Sequence, residues 1–206
     1  HEKRLLAAHE TAHFYFRQAL RGTPAGKAAA EYLAQRGIQP ATIEKFGLGY
    51  APDLRDGLLA YLRKKGCSDE EAIASGLVLT HERGLFDRFR DRLMVPIHDG
   101  RGRIIAFGGR AMRSGQPAKY MNSPQTELFD KSSTLYALDL AKSFMRRKGE
   151  AVIVEGYFDA IACHQAGLDN VVASMGTALT SAQYRVLADL RLTRGVVAFD
   201  GDVAGT

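Results

Sequence analysis

Ala151-Val152-Ile153-Val154-Glu155-Gly156-Tyr157-Phe158-Asp159 reads as a buried strand running into an acid, a glycine and the first turn of a helix. The pattern then repeats. Helix 157–166 leads to a second apolar strand, Asn170-Val171-Val172-Ala173, and helix 180–190 leads to a third, Gly195-Val196-Val197-Ala198-Phe199. Strands apolar throughout and joined by helices are covered on both faces, which predicts an α/β arrangement with a parallel sheet. Ligands of such sheets bind beyond the carboxyl ends of the strands. Those ends hold the acids: Glu155 directly follows the first strand, and Asp200 and Asp202 directly follow the third.

Carboxylates gathered at one sheet edge repel. Two unit charges about 4 Å apart cost roughly 4 kcal/mol at an effective dielectric near 20, so a cation is needed to offset them. Ligation by oxygen alone points to Mg²⁺ or Mn²⁺, one ion or two, rather than zinc. Gly156 and Gly201 sit beside the acids, where a side chain would obstruct a metal and its phosphate ligand. Asp159 has two readings: it orients Glu155 or a metal-bound water, or it caps the following helix.

Upstream the character differs, and a mixed α+β lobe over 1–145 followed by the parallel-sheet domain over 146–206 is expected. Leu5, Leu6, His9, Phe16 and Leu20 lie near one face of a helix ended by Gly22-Thr23-Pro24. Helix 26–36 follows, then a short helix after Pro40, a turn-rich connection over 46–52 and helix 55–65. Ser68 and Glu71 form a capping box that opens another helix. Residues 93–97 and 103–107 flank Asp99-Gly100-Arg101-Gly102, which predicts a β-hairpin. The stretch 108–133, rich in Gly, Ser, Pro and Lys, reads as a long functional loop.

Composition bounds the rest. With 46% hydrophobic and 25% charged residues the chain falls in the soluble globular range, and no apolar run approaches bilayer length. Without a secretory leader, a cytoplasmic protein is expected, with Cys67 and Cys163 as reduced thiols. The net charge of +5 is uneven: residues 81–150 hold 14 Lys/Arg against 8 Asp/Glu, and the remainder 14 against 15. A basic middle suggests a polyanionic partner, nucleic acid or nucleotides first.

Val152 to Asp159 resembles the first signature of Toprim domains, and Phe199-Asp200-Gly201-Asp202 resembles the second. The stretch 173–180 between them is similar to the loop of bacterial replicative DNA primases in particular. Residues 46–52, 87–97 and 105–110, and above all Lys119-Tyr120-Met121-Asn122-Ser123-Pro124-Gln125-Thr126, resemble further blocks of that family, in its order. The resemblance implies RNA primer synthesis on a single-stranded DNA template from ribonucleoside triphosphates. Glu155, Asp200 and Asp202, with Asp159 beside them, would act at the metal. Lys119, Tyr120, Asn122, Ser123 and Lys131 would face nucleotide or template, and Arg88, Arg90 and Arg110 would form a basic ridge for phosphates. It also implies an N-terminal zinc module and a C-terminal domain for the replicative helicase. Neither pattern occurs here, so a truncated core with an incomplete Toprim domain is expected, polymerising weakly or not at all.

His9-Glu10-Thr11-Ala12-His13 matches the H-E-x-x-H of zinc proteases. With no third histidine at a suitable spacing, only Glu31 as a conceivable third ligand and only eight residues ahead of His9, it reads as helix packing, and no zinc is expected in this chain. Two rivals share the acids. A Toprim nuclease or topoisomerase would cleave DNA with them, and a non-catalytic scaffold would bind single-stranded DNA through its basic face alone.

Overall fold

The computed structural model describes residues 1–176 and 178–200. The chain forms two compact units, one of residues 1–97 and 104–129, the other of 98–103 and 130–206.

The first unit begins with α1 (Glu2–Gly22), which buries Leu5, Ala8, His9, Ala12, Phe16 and Leu20 along one face. Thr23 then caps α2 (Pro24–Gln35), accepting the Gly26 N–H on its hydroxyl at 2.9 Å, and Pro40 opens α3 (Pro40–Lys45). After β1 (Gly49–Ala51) come α4 (Gly57–Lys64) and α5 (Asp69–Ala74), the latter opened by the Ser68–Glu71 capping box. A hairpin of β2 (Val78–His81) and β3 (Gly84–Asp87) precedes β4 (Arg92–His98), β5 (Ile104–Ala111) and β6 (Tyr120–Asn122). The sheet order is β1-β4-β5-β6.

Four strands, in three places, depart from the sequence reading. The connection 46–52 contains β1, an edge strand paired with β4. β2 and β3 were not expected. Part of the presumed loop 108–133 is sheet, because β5 extends to Ala111 and β6 pairs with it. All three cases involve runs of three or four residues, too short for an alternation to declare itself. The core packs Ala8, Ala12 and Phe16 of α1 against Leu58, Leu62, Phe89, Met94 and Phe107. Gly49 permits the close approach of α1 to β1, since a Cβ there would lie 2.7 Å from that of Phe16.

The second unit contains α6 (Leu138–Lys148), β7 (Glu150–Val154), α7 (Tyr157–Gln165), β8 (Val171–Ala173), α8 (Ser181–Ala188) and β9 (Arg194–Val197). The three strands are parallel in the order β8-β7-β9. The parallel α/β sheet is therefore as expected from its apolar strands. Ala141 and Met145 of α6, with Leu187 of α8, cover the face presented by Ala151 and Ile153. The expected division at 145/146 falls inside α6, which clusters with the parallel sheet. Among the described residues no helix is long and apolar enough to cross a membrane, and Cys67 and Cys163 are free thiols.

Candidate active site

Parallel pairing brings the acids together. β9 lies directly beside β7 with Val197 opposite Ile153, so residues just past each strand share one edge. The Asp200 N–H donates to Glu155 Oε1 at 3.2 Å, across 45 residues of chain. Among the described residues neither carboxylate is paired with a lysine or arginine. Asp202 lies outside the described residues, and within them no group of three or more His, Cys, Asp or Glu converges. Asp159 accepts the Gly156 N–H on Oδ2 at 3.1 Å, closing the first turn of α7, which is the capping alternative.

The turn after β8 lies against the same strand end. Ser174 N–H donates to Val154 O at 3.0 Å, and Met175 N–H to Glu155 O at 2.9 Å. Lys131 joins this edge, its Nζ 3.9 Å from where a Cβ on Gly176 would stand, with no ion pair among the described residues.

The remaining site candidates belong to the first unit. The β5–β6 register sets Arg110 opposite Tyr120 and Gly108 opposite Asn122, so Arg110, Tyr120 and Asn122 point to one face. Arg88 Nη2 donates to Asn122 O at 3.3 Å, and burial lowers the Arg88 pKa. The Arg110 guanidinium lies 4.2 Å from the Tyr32 ring centroid, a cation–π distance. Arg90 stands over Phe86 and Lys119 over Tyr120, both at 5.8 Å. None of these four cations is paired with a carboxylate among the described residues, whereas Arg4, Arg17, Arg21, Arg63, Arg103, Arg113 and Arg194 all are. Ser123 differs: it is buried, and its Oγ accepts the Phe107 N–H at 3.0 Å, so this hydroxyl serves the sheet.

Residues 15–142 match the family of the N-terminal domain of the DNA primase catalytic core, and residues 149–206 match the Toprim domain family. The chain belongs to the DNA primase catalytic-core family. The DNA primase of Synechococcus elongatus is 46% identical over 93% of this chain and 28% of that protein. That of Deinococcus radiodurans is 45% identical over 93% of this chain and 33% of its own length. The chain thus spans about a third of the curated primases it matches. Among solved structures, the RNA polymerase domain of Mycobacterium tuberculosis primase DnaG superposes with a TM-score of 0.94 at 38% identity, covering all of this chain and 69% of that one. A DnaG primase catalytic domain bound to single-stranded DNA gives 0.87 at 34% identity, over 99% of this chain and 63% of that one.

Within this primase core the H-E-x-x-H stretch is packing. His9 is fully buried, its Nδ1 hydrogen-bonded to Leu5 O at 2.8 Å and its ring stacked on Phe107 at 5.9 Å. His13 Nε2 pairs with Gly47 O at 2.8 Å. Both rings are therefore held in the fold through these contacts. Sequence reasoning missed Asp91 and Arg92, which fasten the segment leading to Lys119. Asp91 accepts from Tyr50 OH at 2.7 Å and pairs with Arg113, while Arg92 Nη1 donates to Ala118 O at 2.9 Å. Both lie in the block 87–97, where the sequence reading singled out only Arg88 and Arg90; that Arg92 is 5% exposed was not visible there.

Proposed function

We propose that this chain is the polymerising core of a DNA primase, joining ribonucleoside triphosphates into short RNA on a single-stranded DNA template. The observation behind this reading is the single hydrogen bond that joins the Asp200 backbone to the Glu155 carboxylate at adjoining parallel strand ends. Such a pair of hard oxygen donors, neither in an ion pair with a lysine or arginine among the described residues, fits Mg²⁺ or Mn²⁺. Glu155 and Asp200 would hold the ion, with Asp202 completing the set. Bound there, a divalent ion supplies activation of the primer 3′-hydroxyl and neutralises charge on the departing pyrophosphate.

The protein's own groups do the positioning. Lys131, beside the Gly176 turn, meets phosphate oxygens of the nucleotide. Arg88, Arg90, Arg110 and Lys119, none in an ion pair among the described residues, take template phosphates without reading bases. Tyr120 and Asn122 sit between them on the β6 strand, where a base or ribose edge would be met. A cytoplasmic place at the replication fork follows from this role, and a replicative helicase is the partner expected of the whole protein.

Incorporation of labelled ribonucleotides on single-stranded DNA with Mn²⁺ tests the reading. At most weak synthesis of short products is expected from this chain, with a loss of roughly 10²–10³-fold or more from Asp200→Ala. Undiminished synthesis in that variant would exclude the assigned role. Tight DNA binding without any synthesis would favour the scaffold reading instead.

A further inference from the structure

Gln183 is a buried polar side chain on α8, 1% exposed, that the chemistry above does not use. Its amide nitrogen donates to Thr134 O at 2.8 Å and Ser174 O at 3.2 Å, and reaches Lys131 O at 3.4 Å. Its Oε1 accepts the Thr180 N–H at 3.1 Å. The Thr180 hydroxyl in turn accepts the Gln183 N–H at 3.0 Å and donates to Ser132 O. One capping box therefore ties together the start of α8, the segment 131–134 and the turn that follows β8.

Two of those segments border Glu155. The 131–134 segment begins with Lys131, whose ammonium stands over Gly176. The turn hangs from the Glu155 carbonyl through the Met175 N–H, and it holds both Met175, at φ 67°, and Gly176, at φ 107°, in the left-handed region. A methionine is held there only when its surroundings over-determine the backbone. A lysine side chain has many rotamers, so where its ammonium arrives depends on how firmly its backbone is anchored.

We propose that Gln183 is a positioning residue for the nucleotide triphosphate: it holds the Lys131 backbone and the Ser174–Gly176 turn in register with Glu155, so that the ammonium meets the phosphate oxygens gathered at that edge. This rests on reading Glu155 and Asp200 as the metal ligands. Gln183 touches no substrate. Its effect passes through Lys131, which makes the inference separable from a general contribution to folding.

The test is a double-mutant cycle read by calorimetric titration of ATP into the 206-residue chain at saturating Mn²⁺, with Mn²⁺ affinity measured separately by electron paramagnetic resonance. Gln183→Leu is expected to weaken ATP binding roughly tenfold while leaving Mn²⁺ affinity within about twofold. Added to Lys131→Ala, it should weaken ATP binding no further. An equal loss with and without Lys131, or a parallel loss of Mn²⁺, overturns the proposal. If Gln183→Leu does not fold, Gln183→Glu enters the same cycle, since it keeps the shape and replaces the donor with an acceptor. A wild-type chain that binds Mn²⁺ but not ATP refutes the positioning role and leaves the metal reading intact. One that binds neither contradicts the metal reading, and the proposal falls with it.

Discussion

In the first unit, several charged groups are consumed inside the fold. Asp87 is buried and caps α4, accepting the Leu58 and Leu59 N–H groups at 2.7 and 3.0 Å. Arg92 is buried against backbone carbonyls, and His9 lies between Leu5 and Phe107. In the second unit, Glu155 is half-buried and Asp200 exposed at two strand ends, with one backbone N–H between them and no cation to neutralise them among the described residues. A charge whose partners are all internal is maintaining architecture; a charge left without one is available to a ligand. Among the arginines, Arg113 is paired with Asp53 and Asp91, whereas Arg88 and Arg110 meet backbone carbonyls and, for Arg110, the Tyr32 ring, with no carboxylate partner among the described residues.

His9 tests the architectural side most strongly. Burial pushes its pKa down to about 4, while an unfolded chain titrates near 6.5. Between these values the unfolded state binds a proton that the folded state does not. Stability therefore rises with pH through that window, is fully present above about 6.5, and is lost toward pH 4. The expected span is on the order of 3 kcal/mol. Urea midpoints at pH 4.5 and 7.5 measure it, and His9→Leu should flatten the difference. A slope that persists in His9→Leu would show that His9 is not the group responsible.

The second contrast sets two aspartates against each other. Asp87→Ala leaves two buried N–H groups of α4 unpaired, though burial already pushes this carboxyl up to about 6 and offsets part of its value. A loss of about 2 kcal/mol is expected. Asp200→Ala should leave the thermal midpoint unchanged or raise it, since it removes a repulsive neighbour of Glu155. Equal destabilisation by both substitutions would erase the distinction between the units.

These contrasts also mark what the sequence made legible. The parallel sheet was readable because Ile153, Val154, Val171 and Val172 are buried in apolar strands; β9 joins it although it is largely exposed, so its place followed from the strand–helix alternation and not from burial. The edge strand β1 was not readable, because its partner β4 is remote in sequence, and the β2–β3 hairpin and β6 were not, because runs of three or four residues are too short to show an alternation. At the site, Glu155 and Asp200 were legible as strand-terminal acids. The roles of Ser123, Arg92 and Gln183 were not. Whether a hydroxyl, guanidinium or amide faces solvent or the backbone depends on burial, which residue type alone does not disclose.

The smallest contrast concerns the arginines. Arg110→Ala is expected to weaken single-stranded DNA binding about five- to tenfold and to lower the salt slope by about one. Arg113→Ala, which removes an ion pair with Asp91 and Asp53, should change DNA affinity less than about twofold. Fluorescence anisotropy across a salt series reads both. Equal losses from the two would dissolve the ridge.

On the function proposed above, the ends of β7 and β9 form one divalent-cation site. Electron paramagnetic resonance titration of Mn²⁺ into the wild-type chain, Glu155→Ala and Asp200→Ala tests it most directly. The predicted result is saturable binding in the wild type, weakened roughly tenfold or more in each variant without a fall in thermal midpoint. Equal Mn²⁺ affinity in all three proteins would contradict it.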